Sequence, residues 1–452
     1  MTLEAIVKLQ QSYFYTNATK DVHYRKDCLE RLLESIEDNE EALYDAFGRD
    51  LNKSKQEAYL MEVEPVKQEI QNQIRNLEKW SREKKVAKPL NLMFSDNRIK
   101  REPYGVVLVV APFNYPFSLS MLPLVGAMAA GNCVVLKCSK KSEYTGKVIT
   151  DIINSAFDKK QIYAIEESLS YSEILNQNYN YIFFTGSERV GKNILRAAAE
   201  KLIPVSVNLG GKCPCIIEET ADIELAARCI IRGKVINAGQ TCISPDYVVI
   251  PERYKDDFLK KCSEYIEEYA KDPFSNPVYP KIINLHHFMR LTKYIMGEKG
   301  LIGGRYSDEQ LKIEPTIFPN ASFTSDIMRE EIFGPLLPVI GYSDIDDVMM
   351  EITHRPSPLA AYIFSNDLEF INLAKDHLVC GCVCINDVMI QQFNVHLPMG
   401  GVGSSGMGAY RGKASYETFT YSKSMIRTSR GANSVYRSFP FKEEKAGDNS
   451  NF

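Results

Sequence analysis

Between residues 104 and 387 the chain alternates short β-branched or aromatic runs with longer stretches of helical spacing. "YGVVLVVAP", "NCVVLKCS", "YIFFTGS" and "VSVNLGG" form one series; "DYVVIP", "LPVIGY", "AAYIFS" and "GCVCIND" form a second. Nearly continuous apolar strands separated by helices belong in parallel sheets covered on both faces, because each crossover helix lies across the sheet. The expectation is an α/β fold of two α/β domains with a boundary near Asn208 to Lys212. Before this region, residues 1 to about 85 show helical spacing, as in "RKDCLERLLESIEDNEEALYDAFGRDL". The closing stretch after Ser429, "RGANSVYRSFPFKEEKAGDNSNF", reads as a polar tail that frays at its end.

A chain of 452 residues exceeds one ordinary core, in keeping with two or more domains. Lys and Arg total 54 against 58 Asp and Glu, a net charge of −4 with no long run of one sign, which argues against a nucleic-acid partner. No stretch approaches the roughly 18 to 20 uninterrupted apolar residues of a membrane span. The start, "MTLEAIVKLQQSYFYTN", lacks the basic end and apolar run of a signal peptide, so a cytoplasmic location is expected. The eleven cysteines fit that compartment as free thiols. Cys380, Cys382 and Cys384 alternate, as do Cys213 and Cys215, which on a strand puts each set on one face. They lack CxxC spacing, and no metal site is expected.

Four stretches carry possible chemistry. Gly401, Gly403 and Gly406 in "GGVGSSG" fit G-x-G-x-x-G, but they follow "HLPM" and lead into more glycine rather than joining a strand to a helix. A structural or substrate-side loop is the better reading. In "YIFFTGSERVGKNILRAAAE" a strand ends in Thr-Gly-Ser and a helix starts at once, so free backbone N–H groups and the Ser187 hydroxyl form an anion site. Gly186 permits close approach there, and Gly191 lets the helix pack on the sheet. In "APFNYPF", Pro112 and Pro116 bracket Asn114 at the C-terminal end of a strand, where α/β proteins bind ligands. Finally, "NAGQTCISPDY" sets Cys242 between a small polar approach and a Ser-Pro stop.

Taken with "AAGNCVVLK", "NLGGKCPCII", "REEIFGPLLPV" and "LPMGGVGSSGMGAYRGKASYETFTYSKS", these segments resemble the aldehyde dehydrogenase superfamily, and most closely its short, dimeric class 3 branch. They occur in family order from about residue 100 to residue 424. The resemblance implies that Cys242 attacks an aldehyde carbonyl to give a thiohemiacetal, which passes a hydride to NAD or NADP. It implies that the Asn114 side chain and the Cys242 backbone N–H hold the oxyanion. On the cofactor side, Phe113, Lys137, Gly186, Ser187, Val190 and Gly191 match positions lining the adenosine and pyrophosphate, and Glu331 and Phe333 match the pair that sets the nicotinamide ribose and ring. Tyr115, Ile243 and Phe393 are candidates for an apolar substrate tunnel.

Two positions depart from the family pattern. Lys140 stands where a glutamate usually contacts the adenine ribose; its charge should attract a 2′-phosphate, so NADP should be accepted at least as well as NAD. Asn208 stands where the family has the glutamate that activates water to hydrolyse the thioester, and an amide cannot take a proton at neutral pH. Three readings follow: an NAD(P)-dependent aldehyde dehydrogenase with slow or differently assisted hydrolysis; an acylating enzyme that passes the acyl group to coenzyme A or another thiol, or reduces a thioester; and a weakly active cofactor-binding protein. The family fold implies a Rossmann-like cofactor domain (1–81 and 105–208), a catalytic domain (209–390), and an oligomerisation arm with the C-terminal segment (82–104 and 391–452). The arm would pair across a homodimer, and the charged tail carries no membrane anchor.

Overall fold

The computed structural model describes residues 1–166 and 169–429; the polar tail expected after Ser429 lies outside the described residues. Two six-stranded sheets organise the chain. Across the first run Gly406–Met407, Val205–Asn208, Tyr181–Thr185, Val106–Val110, Cys133–Lys137 and Ile162–Ala164. Across the second run Thr316–Phe318, Leu336–Tyr342, Tyr247–Pro251, Pro214–Ile217, Ala360–Phe364 and Cys382–Ile385, all parallel. A separate three-stranded antiparallel sheet joins Lys84–Lys85, Ser95–Pro103 and Thr420–Thr428. The architecture is α/β with two α/β units and a small β arm.

Strand order fixes where a ligand can sit. In the first sheet the chain runs outward from Val106–Val110 to the strands beyond it on one side, then returns to the other side with Tyr181–Thr185. The loops leaving the C-terminal ends of these two neighbours diverge and open a crevice. Those loops are "APFNYPF" and "TGS". Alternation along Val106–Val110 feeds two cores, with Val107 and Val109 packing on one face and Val106, Leu108 and Val110 on the other. On the first face, helix Ser118–Ala130 is buried along its whole length, which explains its uniformly apolar "SLSMLPLVGAMAA".

Two expectations need correction. The first sheet is not wholly parallel, because Gly406–Met407 runs antiparallel against Val205–Asn208. This short strand covers an edge that would otherwise expose unpaired N–H and C=O groups. A Cβ on Gly406 would lie 2.1 Å from the Val207 carbonyl oxygen, so the glycine-rich loop serves close backbone packing here. The three alternating cysteines do not share one strand either. The strand starts at Cys382, and only Cys384 is fully buried. Gly381 just before it is pressed on the Gly400 carbonyl, so Cys380 stays outside the ladder. All eleven cysteines are free.

Candidate active site

The segment that presents Cys242 is bent by backbone that few residues adopt. After helix Ile223–Val235, Asn237 and Ala238 take left-handed conformations with φ of 50° and 49°. Gly239 continues the bend at φ 68°, its Cα facing the Gly334 carbonyl oxygen so closely that a Cβ would lie 2.3 Å away. Non-glycine residues in this region are strained by about 1–3 kcal/mol each, and hydrogen bonds offset that. The Asn237 side-chain amide donates to the Asn114 carbonyl at 2.9 Å and to the Gln240 carbonyl at 3.1 Å, while its backbone N–H donates to Glu57 at 2.8 Å.

Asn114 and Tyr115 clasp the two residues before the cysteine. Asn114 Nδ2 donates to the Gln240 carbonyl at 3.0 Å, and the Tyr115 hydroxyl lies 2.8 Å from Thr241 Oγ1. Asn114 is 2% exposed, so its amide is a fixed, dry donor beside Cys242. Cys242 is half-buried at a cleft also lined by Tyr115, Ile243, Phe393, Gln392 and Arg411. Burial pushes its thiol up to about 12; the Glu331 carboxylate adds to the rise, while its own backbone N–H and Arg411 oppose it. Arg411 is a residue that sequence reasoning passed over. It is 9% exposed, has φ 82°, donates to the Gln392 carbonyl, and leaves Nε without a partner. Inside "GMGAYRGK" it read as one more charge in a glycine-rich loop.

Across the crevice, Ser187 caps helix Glu188–Ala199 by position only, since its hydroxyl makes no capping hydrogen bond. The first N–H groups of that helix are therefore available to an anion. A Cβ at Gly186 would meet the Phe184 ring at 2.5 Å, and one at Gly191 would lie 3.0 Å from Leu209, so both glycines permit close packing of turn and helix. Val190 is half-buried on the same helix. Lys137 ends its strand with Nζ on the Cys138 carbonyl at 2.5 Å, and Lys140 follows; the Glu173 carboxyl is lowered by hydrogen bonds from Ser170, with a smaller contribution from Lys140. Phe113 meets the Phe333 ring at 5.7 Å, which joins the loop after Val106–Val110 to the "EEIFGP" turn. Phe333 itself has φ 50°.

Glu331 packs against Gly210. Its carboxyl oxygens sit 2.2 and 2.4 Å from where a Cβ on Gly210 would be, so only glycine leaves space for them. Burial, with Asp246 adding, pushes this carboxyl up to about 8. Its loop is anchored by residues the motif reading did not weigh. Asp246 accepts the Ile332 N–H at 3.0 Å and pairs with Lys212 at 2.5 Å; Lys212 also donates to the Glu330 carbonyl at 3.0 Å. Arg290 binds the carbonyls of Glu331 and Ile332. Asn208 ends its strand between Thr185 and Gly406, 4% exposed, with both atoms of its amide unpartnered.

These features suit a dinucleotide: uncapped helix N–H groups, a glycine cradle at Gly210, and an unpartnered Glu331 oxygen. The sequence model of the aldehyde dehydrogenase family matches residues 2–425. The chain belongs to the aldehyde dehydrogenase family. Among its relatives in that family is the 4,4'-diaponeurosporen-aldehyde dehydrogenase of Staphylococcus aureus, 41% identical over 96% of this chain and 95% of the relative. The mouse dimeric NADP-preferring aldehyde dehydrogenase is 36% identical over 97% of both chains. Among solved structures, the substrate-bound Staphylococcus aureus enzyme AldH superposes with a TM-score of 0.93 at 39% identity, over 96% of each chain. No helix among the described residues of this aldehyde dehydrogenase is long and apolar enough to cross a membrane.

Proposed function

We propose that this enzyme oxidises an aldehyde to a carboxylate through a covalent thiohemiacetal and thioester on Cys242, with NAD or NADP as the second substrate. The observation that carries the reading is the double clasp of Asn114 and Tyr115 on Gln240 and Thr241, which fixes an amide donor beside the nucleophile. An Asn114 amide has two N–H groups, and Gln240 uses one. The other serves the oxyanion together with the Cys242 N–H, where loss of one such donor typically costs about 3 kcal/mol. When bound, the nicotinamide supplies the hydride acceptor. Ser187 and its helix hold the pyrophosphate, Lys137 and Lys140 the adenosine end, and Glu331 with Phe333 the nicotinamide ribose and ring.

Lys140 brings positive charge where a 2′-phosphate would lie, which supports use of NADP, as the mouse relative's name states for that protein. Tyr115, Ile243 and Phe393 supply apolar walls, and the aldehyde is one with an apolar body. The exposed strand Thr420–Thr428 pairs with Ser95–Pro103 on one edge. Its other edge suits strand addition by a second copy, and a cytoplasmic homodimer is the assembly we assign.

A rapid-mixing experiment tests the reading. Excess enzyme mixed with benzaldehyde and NAD(P) should give a stoichiometric burst of reduced nicotinamide that Cys242→Ala abolishes. Full-speed oxidation by that variant would overturn the proposal. Turnover that appears only on adding coenzyme A would replace hydrolysis with acyl transfer.

A further inference from the structure

Arg411 lines the cleft of Cys242 on backbone that an arginine rarely adopts. Its φ is 82°, and strained residues of this kind cluster at ligand clamps. Hydrogen bonds on both sides fix it: the Arg411 N–H donates to Ser415 Oγ at 2.7 Å, and the Gly412 N–H donates to the two Glu69 oxygens at 2.9 and 3.0 Å. The side chain is 9% exposed and donates through Nη1 to the Gln392 carbonyl. Its Nε is shielded from solvent and has no partner, and neither has the shielded side-chain nitrogen of Gln392, on the same cleft. Buried polar groups are ordinarily satisfied in nine cases of ten, and buried charges are ordinarily paired.

The groups around Arg411 do not supply its counter-ion. Glu69 is near enough to feel the guanidinium, yet both its oxygens accept from Gly412 and one also accepts from Gln73 at 2.7 Å. The Cys242 thiol, pushed up to about 12 chiefly by burial, is uncharged at neutral pH in the cofactor-free enzyme. A fixed cation and an amide, each with a spare donor, therefore stand on the wall of the cleft that holds the nucleophile.

We propose that the aldehyde substrate carries a carboxylate at the end remote from its reacting carbonyl, and that Arg411 and Gln392 bind it. The proposal rests on the thiohemiacetal reading above and narrows its substrate to an ω-oxo acid with an apolar body. Oxidation of such a compound yields a dicarboxylic acid. The chemistry of the guanidinium selects this group. Nε and Nη2 lie on one edge of the fork, so together they match the two oxygens of a carboxylate while Nη1 keeps the Gln392 carbonyl. An ionised carboxylate only accepts hydrogen bonds, which is what two spare donors require. Ile243 and Phe393, on the same cleft, face the body of the substrate.

Paired substrates test this. With NAD(P), the full-length enzyme is given 4-carboxybenzaldehyde and adipic semialdehyde, each against its methyl ester, and kcat/KM is measured for all four. The acid should be preferred in at least one pair by about tenfold or more. The ratio of acid to ester within one protein divides out any general loss of activity. That ratio should fall to near one in Arg411→Gln. Gln392→Leu keeps the backbone carbonyl that Arg411 binds, and it should lower the ratio several-fold, which carries the test if Arg411→Gln does not fold. Wild type that treats acid and ester alike, with its Cys242-dependent burst intact, overturns the carboxylate site alone. So does a preference that survives in both variants. A burst that persists in Cys242→Ala overturns the thiohemiacetal reading and the proposal with it.

Discussion

Lys53 and Glu62 form an ion pair of 2.7 Å with both side chains fully shielded from solvent. Lys53 Nζ also donates to the Asn114 carbonyl at 2.9 Å and lies 4.1 Å from the centre of the Tyr115 ring. Glu62 accepts the N–H groups of Phe117 and Ser118 at 3.2 and 2.9 Å. One buried pair in the N-terminal helical region therefore holds the oxyanion loop at its middle and at its exit into helix Ser118–Ala130. With Asn237 donating to the same Asn114 carbonyl, the loop and the nucleophile segment share one support.

Replacing Lys53 by Met should accordingly be severe. Removing one partner of a buried pair leaves an uncompensated charge and typically costs 3–5 kcal/mol. Denaturant unfolding should show a loss on the order of 3 kcal/mol. Because the Asn114 carbonyl also loses one of its two donors, the rate of the burst should fall more than the KM for aldehyde changes. A variant with unaltered stability and burst rate would show that the pair does not support the loop.

The thiol of Cys242 should be sluggish in the cofactor-free enzyme. Burial and Glu331 together raise it to about 12, so little thiolate exists at neutral pH and alkylation by iodoacetamide should climb with pH through 9 and beyond. Glu331 raises that value, so Glu331→Gln must lower it. The variant should be alkylated several-fold faster than wild type at pH 8, with mass spectrometry locating the adduct on Cys242. Slower alkylation of the variant would mean that the carboxylate activates the thiol.

Cofactor choice should follow the charge at residue 140. Lys140→Glu replaces attraction of a 2′-phosphate by repulsion, and the ratio of kcat/KM for NADP over NAD should drop by at least tenfold, about 1.4 kcal/mol. Steady-state titration with each cofactor reads this directly. An unchanged ratio would place the 2′-phosphate away from Lys140.

Ordered motifs made much of this legible before any coordinates. A strand leading into "TGSERVGK" and a cysteine in "NAGQTC" are local patterns; the first turn leaves a strand at the switch point of the first sheet, and the segment before the cysteine hydrogen-bonds the loop of the neighbouring strand. The supports were not legible, because they are long-range contacts made by ordinary residues. Lys53 lies in the short Asn-Lys-Ser link between two helices, and nothing in the sequence marks a lysine whose partners are Glu62 and a carbonyl 61 positions away. Asp246 follows the Ser-Pro stop of the cysteine motif, yet its partners Lys212 and Ile332 lie 34 and 86 residues distant. Arg411 stood within a quoted motif, but its burial against the cleft depends on a left-handed backbone angle that an arginine does not advertise. The edge strand at Gly406 was hidden for the same reason, since two residues carry no alternation.

Lys234 provides a last prediction that separates stability from catalysis. It is 1% exposed, and its Nζ has no hydrogen-bond partner. Desolvation lowers its ammonium to about 8, with Lys212 also lowering it and Asp246 pulling the other way. An unfolded lysine titrates near 10.4, so between about 8 and 10.4 the unfolded chain binds more protons than the folded one. Stability must therefore rise with pH across that window, and below pH 8 the full penalty is present, on the order of 3 kcal/mol. Lys234→Met removes the penalty while keeping most of the side-chain volume. Its unfolding midpoint in denaturant should exceed that of wild type at pH 7, and the advantage should shrink by pH 10. A destabilised variant at pH 7 would show that the ammonium is held by contacts strong enough to outweigh its burial.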